Sequence, residues 1–86
     1  MTIFAVRRGV SMTTDDEGTV LLDEHTGAYW QLNSSGSLVL SILLAGGTPQ
    51  EATKQLADRY AIDHGRAAHD VTDLVNHLRE AGLVTI

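Results

Sequence analysis

Side chains able to do chemistry are few in this sequence, and most stand in patterns that local structure accounts for. His69, Asp73 and His77 follow one another at i, i+4 and i+8, so on a helix they project from roughly one face. Histidines on adjacent turns can grip zinc, but these two are two turns apart, roughly 12 Å along the axis. The stripe also lies opposite the apolar positions Val71, Leu74, Val75 and Leu78, and so reads as a solvated face with no metal site. Asp15-Asp16-Glu17 has the acidity of a calcium loop without its ligand ladder or following glutamate, and reads as a polar loop between strands. Ser34, Ser35 and Ser37 stand where a helix begins, and capping explains them better than nucleophilic attack. The chain has no cysteine, which removes thiol nucleophiles, disulfides, iron–sulfur clusters and thiolate zinc sites together. No G-x-S-x-G, H-E-x-x-H or phosphate-binding loop is present. No catalytic residue and no cofactor are expected, and the chain is not expected to be an enzyme.

The scaffold that would hold any site is small. With 86 residues, 43% of them hydrophobic and 20% charged, the chain has room for one domain spanning residues 1–86 and a thin core. No apolar run approaches the ~18 residues of a membrane span, and Met1 to Val10 lacks a signal-peptide core, so a soluble, cytoplasmic protein is expected. Six Lys and Arg against eleven Asp and Glu give a net charge of −5. Affinity for nucleic acid comes largely from cations that neutralise phosphates, so neither nucleic acid nor an anionic membrane is an expected partner.

Two periodicities divide the chain. Ile3–Val6 reads as a first strand, followed by a polar stretch from Arg7 to Gly18. Thr19–Asp23 and Ala28–Leu32 flank Glu24-His25-Thr26-Gly27, a connection whose glycine suits the positive φ of a bulged hairpin turn. From Asn33 onward three helices are expected. Asn33 or Ser34 caps the first, which buries Leu38, Val39, Ile42 and Leu43, with Leu40 and Leu44 broadening the stripe, and ends at Gly46-Gly47. Thr48-Pro49-Gln50-Glu51 combines a capping box with proline at the first helical position, and Ala52, Leu56 and Tyr60 form the second helix's stripe. Asp63 caps the third, whose apolar face is Ala67, Val71, Leu74, Val75 and Leu78, with Gly82 beyond its end and Leu83 placed to fold back.

The fold class is therefore α+β: a small antiparallel sheet of two or three strands covering one side of three packed helices, an arrangement that also describes a winged helix-turn-helix. If Asp23 pairs with Ala28, Leu21 and Trp30 share one sheet face while Leu22 and Tyr29 share the other. A sheet this small needs only one apolar face for its own core, and the surplus points to a partner. An unprotected edge at Ala28–Leu32 would accept an extended peptide as an extra strand, unless the N-terminal strand covers it. A winged-helix DNA-binding regulator is the alternative, but its third helix would carry Asp63, Asp70, Asp73 and Glu80 against Arg66 and Arg79, a poor face for phosphates. A third reading pairs two such edges across a twofold axis.

The run Leu22-Asp23-Glu24-His25-Thr26-Gly27-Ala28-Tyr29-Trp30-Gln31-Leu32-Asn33, with the stretches Leu38–Gly47 and Leu78–Val84, resembles the PqqD-like family of precursor-recognition elements. These serve ribosomally synthesised, post-translationally modified peptides (RiPPs), and the likeness is strongest to the stand-alone proteins of lasso-peptide biosynthesis. It covers nearly the whole chain, from about Val10 to Ile86. The resemblance implies a winged-helix-like domain with a three-stranded antiparallel sheet and three helices, and non-catalytic binding of a precursor's leader peptide as a further antiparallel strand on the third strand, in a groove walled by the third helix. It implies delivery to a leader peptidase of the cysteine protease type, and an ATP-dependent lasso cyclase acting afterwards. Carried onto this sequence, the edge strand would be Ala28, Tyr29, Trp30, Gln31 and Leu32, and the helical wall Asp70, Val71, Asp73, Leu74, His77 and Leu78. A peptide chaperone of another RiPP pathway would use the same groove.

Overall fold

The computed structural model of the chain describes residues 4–85. Their order is β1 (Ala5–Val6), β2 (Val10–Asp15), β3 (Gly18–Asp23), β4 (Tyr29–Asn33), α1 (Ser34–Leu44), α2 (Pro49–Tyr60), α3 (His64–Glu80) and β5 (Val84–Thr85). β2, β3 and β4 form a three-stranded antiparallel sheet in that order, and β1 pairs with β5 apart from it. The result is the expected α+β, winged-helix-like arrangement. Among the described residues no helix is long and apolar enough to cross a membrane.

Two strands differ from the sequence expectation. The expected Ile3–Val6 strand survives as Ala5–Val6, with Ile3 outside the described residues, and its partner is the C-terminal Val84-Thr85 rather than the hairpin. Its place in the main sheet goes to Val10–Asp15, inside the stretch read as polar connection. That strand carries only one half-buried residue, Val10, and five exposed ones, so burial leaves almost no hydrophobic signature in its sequence. What marks it is β-branching at Thr13 and Thr14 and the two-residue turn at Asp16-Glu17, where the Asp15 carboxylate accepts the N–H of Glu17 at 2.8 Å.

The helix signals act as read. Asn33 accepts the N–H of Gly36 at 3.0 Å, Thr48 that of Glu51 at 3.1 Å and Asp63 that of Arg66 at 3.2 Å, each satisfying a donor the helix itself leaves unpaired. α2 ends on Ala61 in the left-handed conformation (φ 52°), a stop that no glycine announced. α3 is capped by Ala81 and followed by Gly82 at φ 74°, and the Leu83 N–H reaches back 3.0 Å to the Leu78 carbonyl, folding Leu83 under the last turn.

α1 packs on the inner face of the sheet and on α2, and α2 packs along α3. One core cluster joins Leu21 and Leu32 of the sheet to Leu40, Leu78, Leu83 and Val84. A second joins Val39 and Leu43 to Ala52, Leu56, Ala67 and Val71 between the helices. Phe4 and Leu74 touch both clusters, so Leu74 sits where sheet, α1 and α3 meet.

Candidate functional site

The register of β3 against β4 decides what β4 offers to its surroundings. Asp23 donates its N–H to the Ala28 carbonyl at 2.9 Å, and the pairing continues as Leu22 with Tyr29, Leu21 with Trp30, Val20 with Gln31 and Thr19 with Leu32. Opposed residues of an antiparallel ladder alternate between pairs that exchange both main-chain bonds and pairs that exchange none. Trp30 and Leu32, in phase with Ala28, therefore spend their N–H and C=O groups on β3. Tyr29 and Gln31 turn theirs to the far side, where no strand lies among the described residues, because β4 is an outer strand of the sheet. The N-terminal strand, which could have covered this edge, is paired with β5.

The strand begins one residue later than expected. Ala28 belongs to the turn: its N–H bonds to the Thr26 hydroxyl at 3.2 Å and its carbonyl takes the Asp23 N–H. Gly27, at φ 77°, closes that turn, while the Asp23 carboxylate accepts the N–H groups of His25 and Thr26. Gly18 holds the other end of the hairpin. A Cβ there would stand 1.9 Å from the Leu32 carbonyl oxygen, so only glycine lets β3 lie this close to β4.

Side chains alternate to match. Trp30 and Leu32 share the inner face with Leu21 and Thr19, whereas Tyr29 and Gln31 share the outer face with Leu22 and Val20. Leu21 and Leu32 are buried, but Trp30 is 38% exposed and Tyr29 67% exposed. The outer face thus presents Val20, Leu22 and Tyr29 to solvent, which is the surplus apolar surface the hairpin sequence implied.

Beside β4 lies a groove of about 330 Å³. Its strand side is Gln31, Leu32 and Asn33, its far wall is Asp70 and Leu74 of α3, and its floor includes Val39 and Leu56. The indole of Trp30 continues the groove towards His77, the ring centroids standing 6.5 Å apart. α3 consequently runs opposite to β4, with Asp70 beside Asn33 and His77 beside Trp30.

The helical residues carried over from the resemblance fall into three groups. Asp70 and Leu74 line the groove and His77 borders it. Val71 and Leu78 are buried in the two core clusters and support the wall from behind. Asp73 turns away to His69, 3.3 Å from its Nδ1 in an exposed pair. The expected His69-Asp73-His77 stripe is therefore split, because eight residues advance a helix roughly 80° beyond two full turns. Among the described residues no three His, Asp or Glu side chains are grouped to hold a metal ion. Sequence reasoning missed the floor: Leu56 read only as helix stripe, Ser35 only as helix start, and Gly36 was not singled out, although all three line the groove.

The other outer strand, β2, has a different setting. By the same alternation Met12 and Thr14 turn their main-chain groups outward. The hollow near its end, about 260 Å³, sets Ser34, Ser37, Ser41, Asp16 and Arg59 beside Leu38. Tyr60, also in its wall, donates its phenolic O–H to Ser34 at 3.1 Å. Thr14, Thr19 and Ser37 link their hydroxyls at 3.0 and 2.5 Å, so even the buried Thr19 is satisfied internally.

Comparison with known proteins gives the chain a family and structural neighbours. The family of coenzyme PQQ synthesis protein D (PqqD) matches residues 18–84. A lasso peptide synthetase B1, solved in complex with the leader peptide, superposes with a TM-score of 0.88 at 35% identity, covering 96% of this chain and 98% of that one. TbiB1, solved in complex with the TbiA(beta) leader peptide, superposes with a TM-score of 0.81 at 28% identity, covering 92% of each chain. Curated protein sequences contain no match.

Proposed function

The chain belongs to the PqqD family, and from that premise we propose that it binds the leader peptide of a lasso-peptide precursor. Residues 1–86 would act as one non-catalytic recognition element in the cytoplasm. The observation that carries this reading is the free edge of β4 opening onto the groove beneath α3. The leader adds as an antiparallel strand, exchanging main-chain hydrogen bonds with Tyr29 and Gln31. Its side chains opposite Trp30 and Leu32 drop into the groove, against Leu74 and the floor formed by Val39 and Leu56. Each bond contributes about 0.5–1.5 kcal/mol net, and burying one large apolar side chain contributes roughly 1.5–3 kcal/mol. The side-chain pockets, rather than the ladder, therefore set which leader is preferred.

An antiparallel strand enters at Asn33 and leaves past Tyr29, so the rest of the precursor emerges at the β3–β4 turn. In this reading a leader peptidase of the cysteine protease type takes the emerging segment, and the lasso cyclase acts on the released core. The match to coenzyme PQQ synthesis protein D supports a second reading, a peptide chaperone of another RiPP pathway using the same edge. Titrating the protein into the fluorescently labelled leader of a candidate lasso-peptide precursor, with a scrambled peptide as control, tests the reading by anisotropy. Saturation by the leader alone supports it. Equal binding of both peptides, or of neither, removes it, and preference for a leader of a different RiPP class selects the second reading.

A further inference from the structure

Val20 and Leu22 have no part in the groove, yet they stand 38% and 37% exposed on the outer face of the sheet. Two rows of directly opposed residues cross that face: Ser11, Leu22 and Tyr29 beside the β3–β4 turn, then Thr13, Val20 and Gln31. All of them are exposed and none is charged, in a chain where 20% of residues are charged. Charge returns only in the next row, at the opposite end, with Asp15, whose carboxylate accepts the N–H groups of Glu17 and Gly18. The core lies on the other side of the sheet, where Leu21 and Leu32 meet Leu40 of α1.

A strand docked on β4 is enclosed on two sides. β4 takes one edge of its main chain, and α3 stands over its inner side with Asp70, Leu74 and His77. At the exit, Trp30 and His77 flank the inner approach. The outer face stays open there, and its uncharged rows begin at that end, with Tyr29 beside Leu22. The apolar part of this face therefore adjoins the point where the precursor emerges, and Asp15 lies towards the entry. An aromatic ring among aliphatic side chains, without charge, is the composition of the core of a protein interface.

We infer that this face is the docking surface of the enzyme that cleaves the leader: a protein with an uncharged, apolar patch of its own, seated across Val20, Leu22 and Tyr29 beside the segment that leaves past Tyr29. The inference rests on leader binding at β4. It gives the two faces of the hairpin separate tasks, the inner one holding the peptide and the outer one the enzyme. Enzyme and cleavage site then share one scaffold, which raises their effective concentration for each other.

The test separates the two tasks with Val20→Thr combined with Leu22→Lys, which keeps a strand-forming side chain at one position and sets a charge in the patch at the other. The probes are a candidate lasso-peptide precursor, its fluorescently labelled leader, and the cysteine-protease-type leader peptidase of the same biosynthetic cluster. The variant is expected to bind the leader within about twofold of wild type by anisotropy, with an unchanged circular dichroism spectrum, while its affinity for the peptidase and the rate of leader cleavage fall roughly tenfold or more. Thr13→Lys, in the second row, probes the same patch from β2 should the double variant melt early, and a loss of about threefold in peptidase affinity is expected. Gln50→Lys, exposed on α2, is expected to change none of these. Peptidase binding that is unaffected by the patch variants, or absent from wild-type protein that binds the leader, overturns the docking surface and leaves leader binding intact. A dimer of the free protein that the patch variants dissolve in sedimentation assigns the face to a second copy and overturns it too. Failure of the wild-type protein to bind any leader removes both readings.

Discussion

The two outer strands of the sheet offer the same backbone chemistry in different surroundings. β4 and β2 each turn the main-chain groups of alternate residues outward, Tyr29 and Gln31 on one, Met12 and Thr14 on the other. Beside β4, α3 stands off far enough to leave a groove floored by Val39 and Leu56. Beside the end of β2 the hollow is lined with hydroxyls that already bond to one another. An edge supplies hydrogen bonds to any peptide, and any peptide in water already has them. Aliphatic side chains along the edge supply the surplus that turns pairing into binding: Leu32, Val39, Leu56 and Leu74 line the groove beside β4, whereas Leu38 and Tyr60 are the large apolar residues of the hollow at the end of β2.

The comparison breaks most completely at Gly18. Gly18→Ala forces a Cβ to 1.9 Å from the Leu32 oxygen and must part β3 from β4. We expect several kcal/mol of destabilisation and loss of leader binding, seen as an early thermal transition by circular dichroism. Proline separates the two edges directly. Gln31→Pro removes an outward N–H and leaves the β3 ladder whole, so leader affinity should fall roughly tenfold or more with the fold retained. Met12→Pro makes the same change on β2 and should leave leader affinity within about twofold in the same anisotropy titration. Equal losses from both would show that the peptide does not distinguish the edges.

Side chains sharpen the contrast in smaller steps. Leu74→Ala strips the apolar wall, and a loss of about tenfold in affinity is expected, with a modest drop in melting temperature because Leu74 also touches both core clusters. Tyr29→Ala leaves the outward N–H and C=O in place and removes a ring that is 67% exposed, so a loss of a few-fold with unchanged circular dichroism is expected. Asp70→Asn should cost about 1 kcal/mol or less, and the loss should vanish in high salt if the carboxylate acts by charge.

Local signals carried most of the fold. The caps at Asn33, Thr48 and Asp63 and the hairpin register at Asp23 and Ala28 depend on residues within a few positions of one another, and all were readable. β2 was not, because an edge strand with one half-buried residue leaves no alternation to detect. The β1–β5 pair was not either, since two-residue strands almost eighty positions apart have no local mark. At the groove, the sequence set Tyr29, Trp30, Gln31 and Leu32 on adjacent positions of one strand and Asp70, Leu74 and His77 on one side of a helix. It could not rotate that helix against the sheet, which is what sends Val71 and Leu78 into the core and Asp73 towards His69. Nor could it show that Leu56, from a helix two elements away, reaches the groove floor.

The alternation along β4 also has a meaning for how a partner's gene can drift. A strand lying on Tyr29 and Gln31 is held by atoms that every residue except proline shares, and only its alternate side chains enter the groove. Half of its letters would go unread, free to accumulate substitutions without losing their reader. Two lineages of such a peptide could then diverge almost to unrecognisability in plain alignment while keeping a common rhythm of period two, and that rhythm is where their kinship should be sought.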